Sequence, residues 1–490
     1  MYDLLVIGGG INGTGVARAA AGRGLRVLLV EKDDLAGHTS SASTKLIHGG
    51  LRYLEHYDFA LVRKALGERE VLLRAAPHII WPLRFILPVV EGMRPAWLLR
   101  LGLFLYDHLG RRELLAGTET LRLRHVVEGA PLHRDLVTGF AYSDCWVDDA
   151  RLVVLNAMDC VARGGEVRTR TACEALVRQP DHWEARLGDG SSVVARMVVN
   201  AAGPFVDRVV AQYKGRGETA RVRLVKGSHI VVPRLHDGDW AYMFQQDDGR
   251  IIFAIPYEDQ FTLIGTTEVA VQAVEDGSAI TADETGYLCA AANRYFLAGI
   301  QPDDVIWSYA GVRPLYEDHA DNASAVTRDF VLQVDEDGAP ILSIFGGKIT
   351  TYRELAEAVL ERVAGLLDRS DALPWTENAH LPGGDFDAAD REGEAQRWIA
   401  RYDGLEPAYL RRLFRCYGTQ LAQIIGVAGS AACLGRDFGG GLTEAEVRYL
   451  VAHEFARTSE DILWRRTKCG LHMSQTERDA FAEWFAAEFN

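Results

Sequence analysis

A short apolar run that ends in three glycines constrains this chain more than any other feature. Asp3 to Ile7 is apolar and β-branched and leads into Gly8-x-Gly10-x-x-Gly13. From Asn12 to Arg23 the residues are small and helix-compatible, Gly24 ends that pattern, and Arg26 to Val30 forms a second apolar run closing on Glu31. Strand, glycine turn, helix and strand make one βαβ unit of about thirty residues, the size of a mononucleotide-binding half. Each glycine has its own task. Gly8 allows the tight turn, Gly10 lets a pyrophosphate approach the backbone, and Gly13 lets helix and strand pack closely. The helix N-terminus then offers unpaired N–H groups and a positive dipole end to the phosphates. Glu31 is placed to accept hydrogen bonds from an adenosine ribose and to repel the 2′-phosphate of NADP.

Two later segments favour FAD over NAD. Val198-Val199-Asn200-Ala201-Ala202-Gly203-Pro204 reads as a strand ending in small residues, suited to a second close backbone approach. Phe345-Gly346-Gly347-Lys348-Ile349-Thr350-Thr351 repeats the sequence of strand, glycines and helix start. A helix N-terminus there would stabilise charge on a reduced flavin. A cofactor touched from residues 8, 40, 200 and 347 fits buried FAD better than NAD, whose domain is ordinarily one continuous stretch.

Bulk properties remove other classes. A length of 490 residues predicts two to three domains, and 48% hydrophobic with 25% charged residues excludes a disordered chain. A net charge of −15 argues against nucleic acid as a partner. Seven cysteines without a C-x-x-C pair read as reduced thiols in a cytoplasmic protein, so no metal site or disulfide framework is expected. No run reaches the ~20 apolar residues of a membrane span. Further along, 58–76 reads as an amphipathic helix, and Val193–Val199, Leu224–Val232, Ile251–Ile255, Phe261–Ile264 and Ile341–Phe345 read as strands. The middle three of these suggest an antiparallel sheet. Beyond the Pro382-Gly383-Gly384 turn the pattern is helical.

The chain resembles the FAD-dependent respiratory glycerol-3-phosphate dehydrogenases of aerobic bacteria. The stretches that carry the resemblance are VIGGGINGTGVARAAAGRGL, SSASTKLIHGGLRYLE, YSDCWVDDARLV, VKGSHIVVP, IGTTE, SYAGVRPL, TRDF, FGGKITTYRELAE and ILWRRTK. They run from the first residues to about 470. The resemblance implies an α/β (overall α+β) architecture with three parts. A discontinuous Rossmann-like FAD domain covers about 1–50, 140–215 and 320–375. An antiparallel-sheet substrate domain is inserted at about 51–139 and 216–319, and a C-terminal all-α cap spans 385–490. It implies oxidation of sn-glycerol 3-phosphate to dihydroxyacetone phosphate, electrons passed to membrane quinone, noncovalent FAD, a homodimer, and a cytoplasmic enzyme peripheral on the inner face of the cell membrane. Along the cofactor it implies Gly8, Gly10, Asn12, Gly13, Glu31, Ser40, Ser43, Lys45, His48, Gly49, Ala202, Gly203, Gly347 and Thr350. At the substrate it implies Arg52, Tyr53, His229, Arg313, Arg328 and Lys348, with His229, Arg313, Lys348 and Arg52 as the catalytic set.

The residue chemistry agrees with that substrate. A phosphate monoester is held best by guanidinium forks and lysine, and Arg52, Arg313, Arg328 and Lys348 all fall in loop-like or strand-end motifs. Alcohol oxidation needs a base near neutral pKa, for which histidine suits. His229 and His48 are the two candidates, with Arg313 to hold the developing alkoxide. Between 80 and 125, seven arginines meet four acids around the cluster Trp97 to Tyr106. That segment has two readings, an interfacial anchor on anionic lipid or a packed core helix. Two rival enzymes stay open: a glycerol-3-phosphate oxidase using oxygen, and an amine or amino-acid oxidase on a similar fold.

Overall fold

The computed structural model describes residues 1–110, 112–214, 222–316, 330–367, 373–426 and 430–489. Numbered along the chain, the first sheet runs in the order β17 (Val331–Asp335), β18 (Ile341–Phe345), β10 (Ser192–Asn200), β1 (Tyr2–Ile7), β2 (Val27–Val30) and β7 (Glu166–Arg168). A hairpin of β8 (Cys173–Arg178) and β9 (Trp183–Leu187) extends it from β10. β1 lies parallel to both β2 and β10. These strands are covered on both faces, which explains why they read as continuous apolar runs without alternation. Helix α1 (Ile11–Gly22) packs between α4 (Asp149–Ala162) and α7 (Tyr352–Leu366). Its small residues Ala17, Ala19 and Ala20 are fully buried there, so the close packing needs their lack of bulk.

The second sheet has the order β15 (Val269–Val271), β11 (Val222–Pro233), β14 (Phe261–Gly265), β13 (Ile251–Tyr257), β12 (Ala241–Gln245), β4 (Ile80–Pro88), β6 (Thr138–Val147) and β3 (Leu46–Ile47). β16 (Trp307–Tyr316) pairs along β11, and β5 (Glu119–Arg122) pairs with β6. The sheet differs from the expected antiparallel one at a single joint, where β12 runs parallel to β4. Period-two alternation reports which face a residue takes and cannot report such long-range pairing. Two domain limits shift for the same reason. The expected boundary at 140 falls inside β6, and β3 lies before residue 51, yet both strands belong to this second sheet.

Helix α2 (Phe59–Ala75) and α3 (Ala96–Leu109) flank the second sheet, and α6 (Ala282–Asn293) packs against β11, β13 and β14. After the turn near 383 come α8 (Arg391–Arg401), α9 (Pro407–Tyr417), α10 (Leu421–Ile425), α11 (Glu444–His453) and α12 (Gln475–Phe489), with no strand among the described residues. They enclose their own core around Leu410, Leu413, Phe414, Leu450, Phe481 and Phe485. Ion pairs fasten this helical domain to the rest. Arg151 of α4 and Glu454 are both fully buried and form a two-pronged pair, and Arg415 pairs with Glu258 at the end of β13.

Removing one partner of a buried pair leaves the other charge without compensation. Glu454→Ala should therefore lower the unfolding free energy by about 3–5 kcal/mol, read by urea denaturation. A loss below about 1 kcal/mol would mean that the pair holds the domains no better than a surface contact.

Candidate active site

A cleft of about 460 Å³ runs between the two sheets. One end is the glycine turn. Gly8 has φ +113°, and a Cβ there would lie 2.5 Å from Ala201 O. A Cβ on Gly13 would lie 1.9 Å from Gly8 O, so no side chain fits at that contact. Gly9 N donates to Glu31 Oε2 (2.6 Å) and Asp33 N donates to Glu31 Oε1 (2.8 Å), fixing the carboxylate at the rim of the cleft. Ser40 Oγ accepts from Ile11 N (3.0 Å) at the start of α1. Asn12 Nδ2 donates to Gly346 O (3.2 Å), joining the first glycine turn to the last, and its buried Oδ1 has no hydrogen-bond partner in the protein. A dinucleotide fits this cradle: an acid for the ribose, a helix start whose cap Gly10 carries no side chain for the phosphates, and Ala201, Ala202 and Gly203 as a smooth wall.

The other end holds His229, on β11 and 2% exposed. Its Nε2 lies 3.0 Å from Thr44 Oγ1, and its ring stacks on Tyr309 at 4.8 Å between centroids. Gly265 leaves the room for that ring, since a Cβ would meet His229 Cδ2 at 2.0 Å. Burial, followed by the cations of Lys45 and Arg313, holds His229 well below the ordinary histidine range, so it is neutral at pH 7. His48 is likewise pushed down by burial, with Lys348 and Arg69 adding to the effect and Asp144 opposing it. Arg313 of β16 lies 3.7 Å from Glu268. Gly227 keeps that approach open, because a Cβ would stand 3.1 Å from the Arg313 guanidinium. The Lys348 ammonium sits 3.8 Å above the Tyr53 ring.

The cleft brings together Gly8, Gly10, Asn12, Glu31, Ser40, Ser43, His48, Tyr53, Ala202, Gly203, His229, Arg313, Gly347, Lys348 and Thr350. Four expected residues stand apart from its lining. Gly13 packs beneath the turn. Gly49 donates its N–H to Tyr106 Oη (2.8 Å) and faces Asp144. Arg52 is half-buried in the turn Leu51–His56 beside Tyr53. Lys45 is turned inward and pairs with Asp149 (2.7 Å), both almost completely buried. Arg328 lies outside the described residues. Sequence reasoning missed Thr44, Tyr309 and Asp149. Asp149 Oδ2 accepts from Ser43 N (3.1 Å) and Ser43 Oγ (2.7 Å), so one carboxylate holds the residues on both sides of Thr44. The paired Asp148-Asp149 at a helix start was the available signal, since an acid there caps the helix and is free to serve a neighbour.

The family profile described as FAD dependent oxidoreductase matches residues 3–353, and that of the C-terminal domain of alpha-glycerophosphate oxidase matches 374–488. The D-erythritol 1-phosphate dehydrogenase of Brucella abortus is 52% identical over 489 residues, covering 99% of this chain and 97% of that one. The aerobic glycerol-3-phosphate dehydrogenase of Escherichia coli is 47% identical, covering 98% and 97%. Among solved structures, the glycerol-3-phosphate dehydrogenase from Bacillus halodurans complexed with FAD superposes with a TM-score of 0.78 at 28% identity, covering 100% of this chain and 91% of that one.

The Gly13 contact yields a direct test of the cradle. Gly13→Ala should purify colourless and weaken FAD binding at least about 100-fold in Kd, followed by fluorescence titration. A titration like the parent's would contradict the close approach.

Proposed function

Since the chain belongs to the FAD-dependent oxidoreductases of the glycerol-3-phosphate dehydrogenase family, we propose that it oxidises sn-glycerol 3-phosphate to dihydroxyacetone phosphate and passes the electrons to membrane quinone. The observation that carries this reading is a neutral, buried His229 sharing one cleft with the dinucleotide cradle and with the cations Arg313 and Lys348. Bound FAD supplies the acceptor for the hydride that leaves the carbinol carbon. His229 takes the hydroxyl proton. Its Nδ1 is sealed in the protein, so Nε2, beside the cleft-lining Thr44 hydroxyl, is the atom that receives it. Arg313 holds the oxygen as its proton leaves, and Lys348, with Arg52 and Arg328, binds the phosphate. Tyr53 supports Lys348 from below through its ring face. Asn12, Ser40, Ser43, His48 and Thr350 are proposed to line the cofactor, which is bound without a covalent link.

A second reading is supported by the 52% identity to an enzyme named for D-erythritol 1-phosphate. Both substrates are phosphorylated polyols with a secondary alcohol, so the same base and cations serve either. Anaerobic addition of each to the holoenzyme, followed at the flavin absorbance, decides between them. Prompt bleaching by sn-glycerol 3-phosphate is the expected outcome, and bleaching by the four-carbon ester alone would reassign the substrate. His229→Ala should slow the reduction at least about 100-fold, and reduction at the parent's rate would remove His229 from the proton step. The pH dependence has a fixed sign. A base whose pKa is depressed keeps its lone pair to lower pH, so activity should fall only well below pH 6.5, the ordinary histidine value. An acid limb at or above 6.5 would contradict the buried neutral imidazole.

The quinone and the membrane rest on the surface of α3. Trp97 (69% exposed), Leu98, Leu101 and Phe104 face outward, with Arg94 and Arg100 close by in sequence. Among the described residues no helix is long and apolar enough to cross a membrane. An apolar, aromatic and basic face suits an anionic lipid surface, here the inner face of the cell membrane, with a homodimer as the bound form. Flotation with anionic vesicles at low salt should carry the protein, and Trp97→Glu combined with Phe104→Glu should release it. Parental protein that stays at the bottom of the gradient would defeat this part and favour oxygen as the acceptor.

A further inference from the structure

The C-terminal domain takes no part in that chemistry, yet its segment Ile462–Lys468, the ILWRRTK stretch, reaches the back of the cleft. The Trp464 ring stacks on Trp307 with centroids 5.0 Å apart and planes at 20°. Trp307 packs on Tyr309 at 5.2 Å, and Tyr309 stacks on His229 at 4.8 Å and 19°. Four rings from three chain segments thus form a column that ends on the base. Strand register gives the inner half its order: Trp307 and Tyr309 lie on β16 opposite Val231 and His229 of β11. Gly470 makes the outer end possible, since a Cβ there would stand 2.9 Å from the Trp464 ring. The segment also braces the two loops that flank the cleft. Arg466 donates to both oxygens of Asp34 (2.8 Å each), three residues beyond Glu31. Lys468 Nζ lies 3.7 Å from Asp148, next to the Asp149 that holds Ser43 and Lys45.

We propose that Trp464 is a positioning residue for the oxidation, setting the plane of the His229 ring through Trp307 and Tyr309 and thereby making the helical domain part of the active site. Aromatic pairs favour particular stacked or edge-on arrangements, so a ring that loses its outer neighbour tilts or slides. Each ring in the column packs on the next, and among the described residues the His229 side chain has only Thr44 as a hydrogen-bond partner to resist the movement. A base displaced by about 1 Å loses up to about 100-fold in rate. Trp464 is half-buried and packs against both the helical core and the core of the second sheet without being a fully buried member of either.

The proposal rests on the reading of His229 as the base, and its test keeps the two apart. Trp464→Ala in the holoenzyme should slow anaerobic flavin reduction at saturating substrate about tenfold, with FAD affinity and the substrate concentration for half-saturation near the parent's. Trp464→Phe, which keeps a ring in the column, should recover the rate to within about twofold. Trp484→Ala removes an equal ring from the same domain, away from the column, and should leave the rate unchanged. The double variant Trp464→Ala with His229→Ala should be no slower than His229→Ala alone, because Trp464 acts only through that ring. A parental rate for Trp464→Ala, an equal loss in Trp484→Ala, additive losses in the double variant, or no recovery with Trp464→Phe would each overturn the column. If Trp464→Ala does not fold, Trp464→Leu carries the same comparisons. His229→Ala reducing its flavin at the parent's rate would defeat the base assignment instead.

Discussion

The active cleft depends on one buried ion pair, Lys45 with Asp149. Burying two charges costs several kcal/mol unless their hydrogen-bonding capacity is met, and here it is. Asp149 accepts from Lys45 Nζ, Ser43 N, Ser43 Oγ and Ala150 N, and Lys45 Nζ also donates to Ser41 O. Its ammonium stands 5.0 Å from the centre of the Tyr309 ring. The arrangement holds Lys45 at φ +59°, a left-handed conformation that costs a residue with a side chain about 1–3 kcal/mol. The result is a serine-rich loop bent so that Thr44 meets His229. The pair also contributes a cation that helps keep that histidine neutral. One interaction therefore bears on both the position of the proposed base and, after burial, its protonation state.

What the sequence makes legible is what neighbouring residues decide. The first βαβ unit, the helix at 59–75, the strand Ile341–Phe345 and the helical C-terminal part all have local causes: apolar period, glycine punctuation, helix-compatible composition. The parallel joint of β4 with β12, and the membership of β3 and β6 in the second sheet, have none, because pairing between distant strands leaves no local mark. The same holds for the site. Gly8, Gly10 and Glu31 announce themselves through a motif with a physical reason for each member. Thr44 and His229 are 185 residues apart and meet only in space. Lys45 shows the reverse case: its cofactor-like motif points to the cofactor, whereas its ammonium pairs with a carboxylate inside the wall.

Charge is distributed in the same spirit. The chain is strongly acidic overall, yet the cleft gathers Arg313 and Lys348, and α3 carries Arg100 beside its exposed apolar residues. Basic groups gathered within an acidic chain favour the approach of an anion to these two regions. They are also mechanically joined. Tyr106 of α3 accepts from Gly49 N and donates to Asp144, which in turn pairs with Arg69. The helix with the exposed aromatic face thus grips the turn that carries His48.

The clasp of Arg466 on Asp34 spans 432 residues of chain, and this has a consequence for how the molecule is made. At typical synthesis speeds, roughly 20–90 s separate the emergence of its two halves from the ribosome. For that interval the turn after Glu31 exists without its brace, and Asp34 must stay hydrated. The dinucleotide cradle is among the first parts of this protein to be synthesised, and the clasp that braces it is among the last.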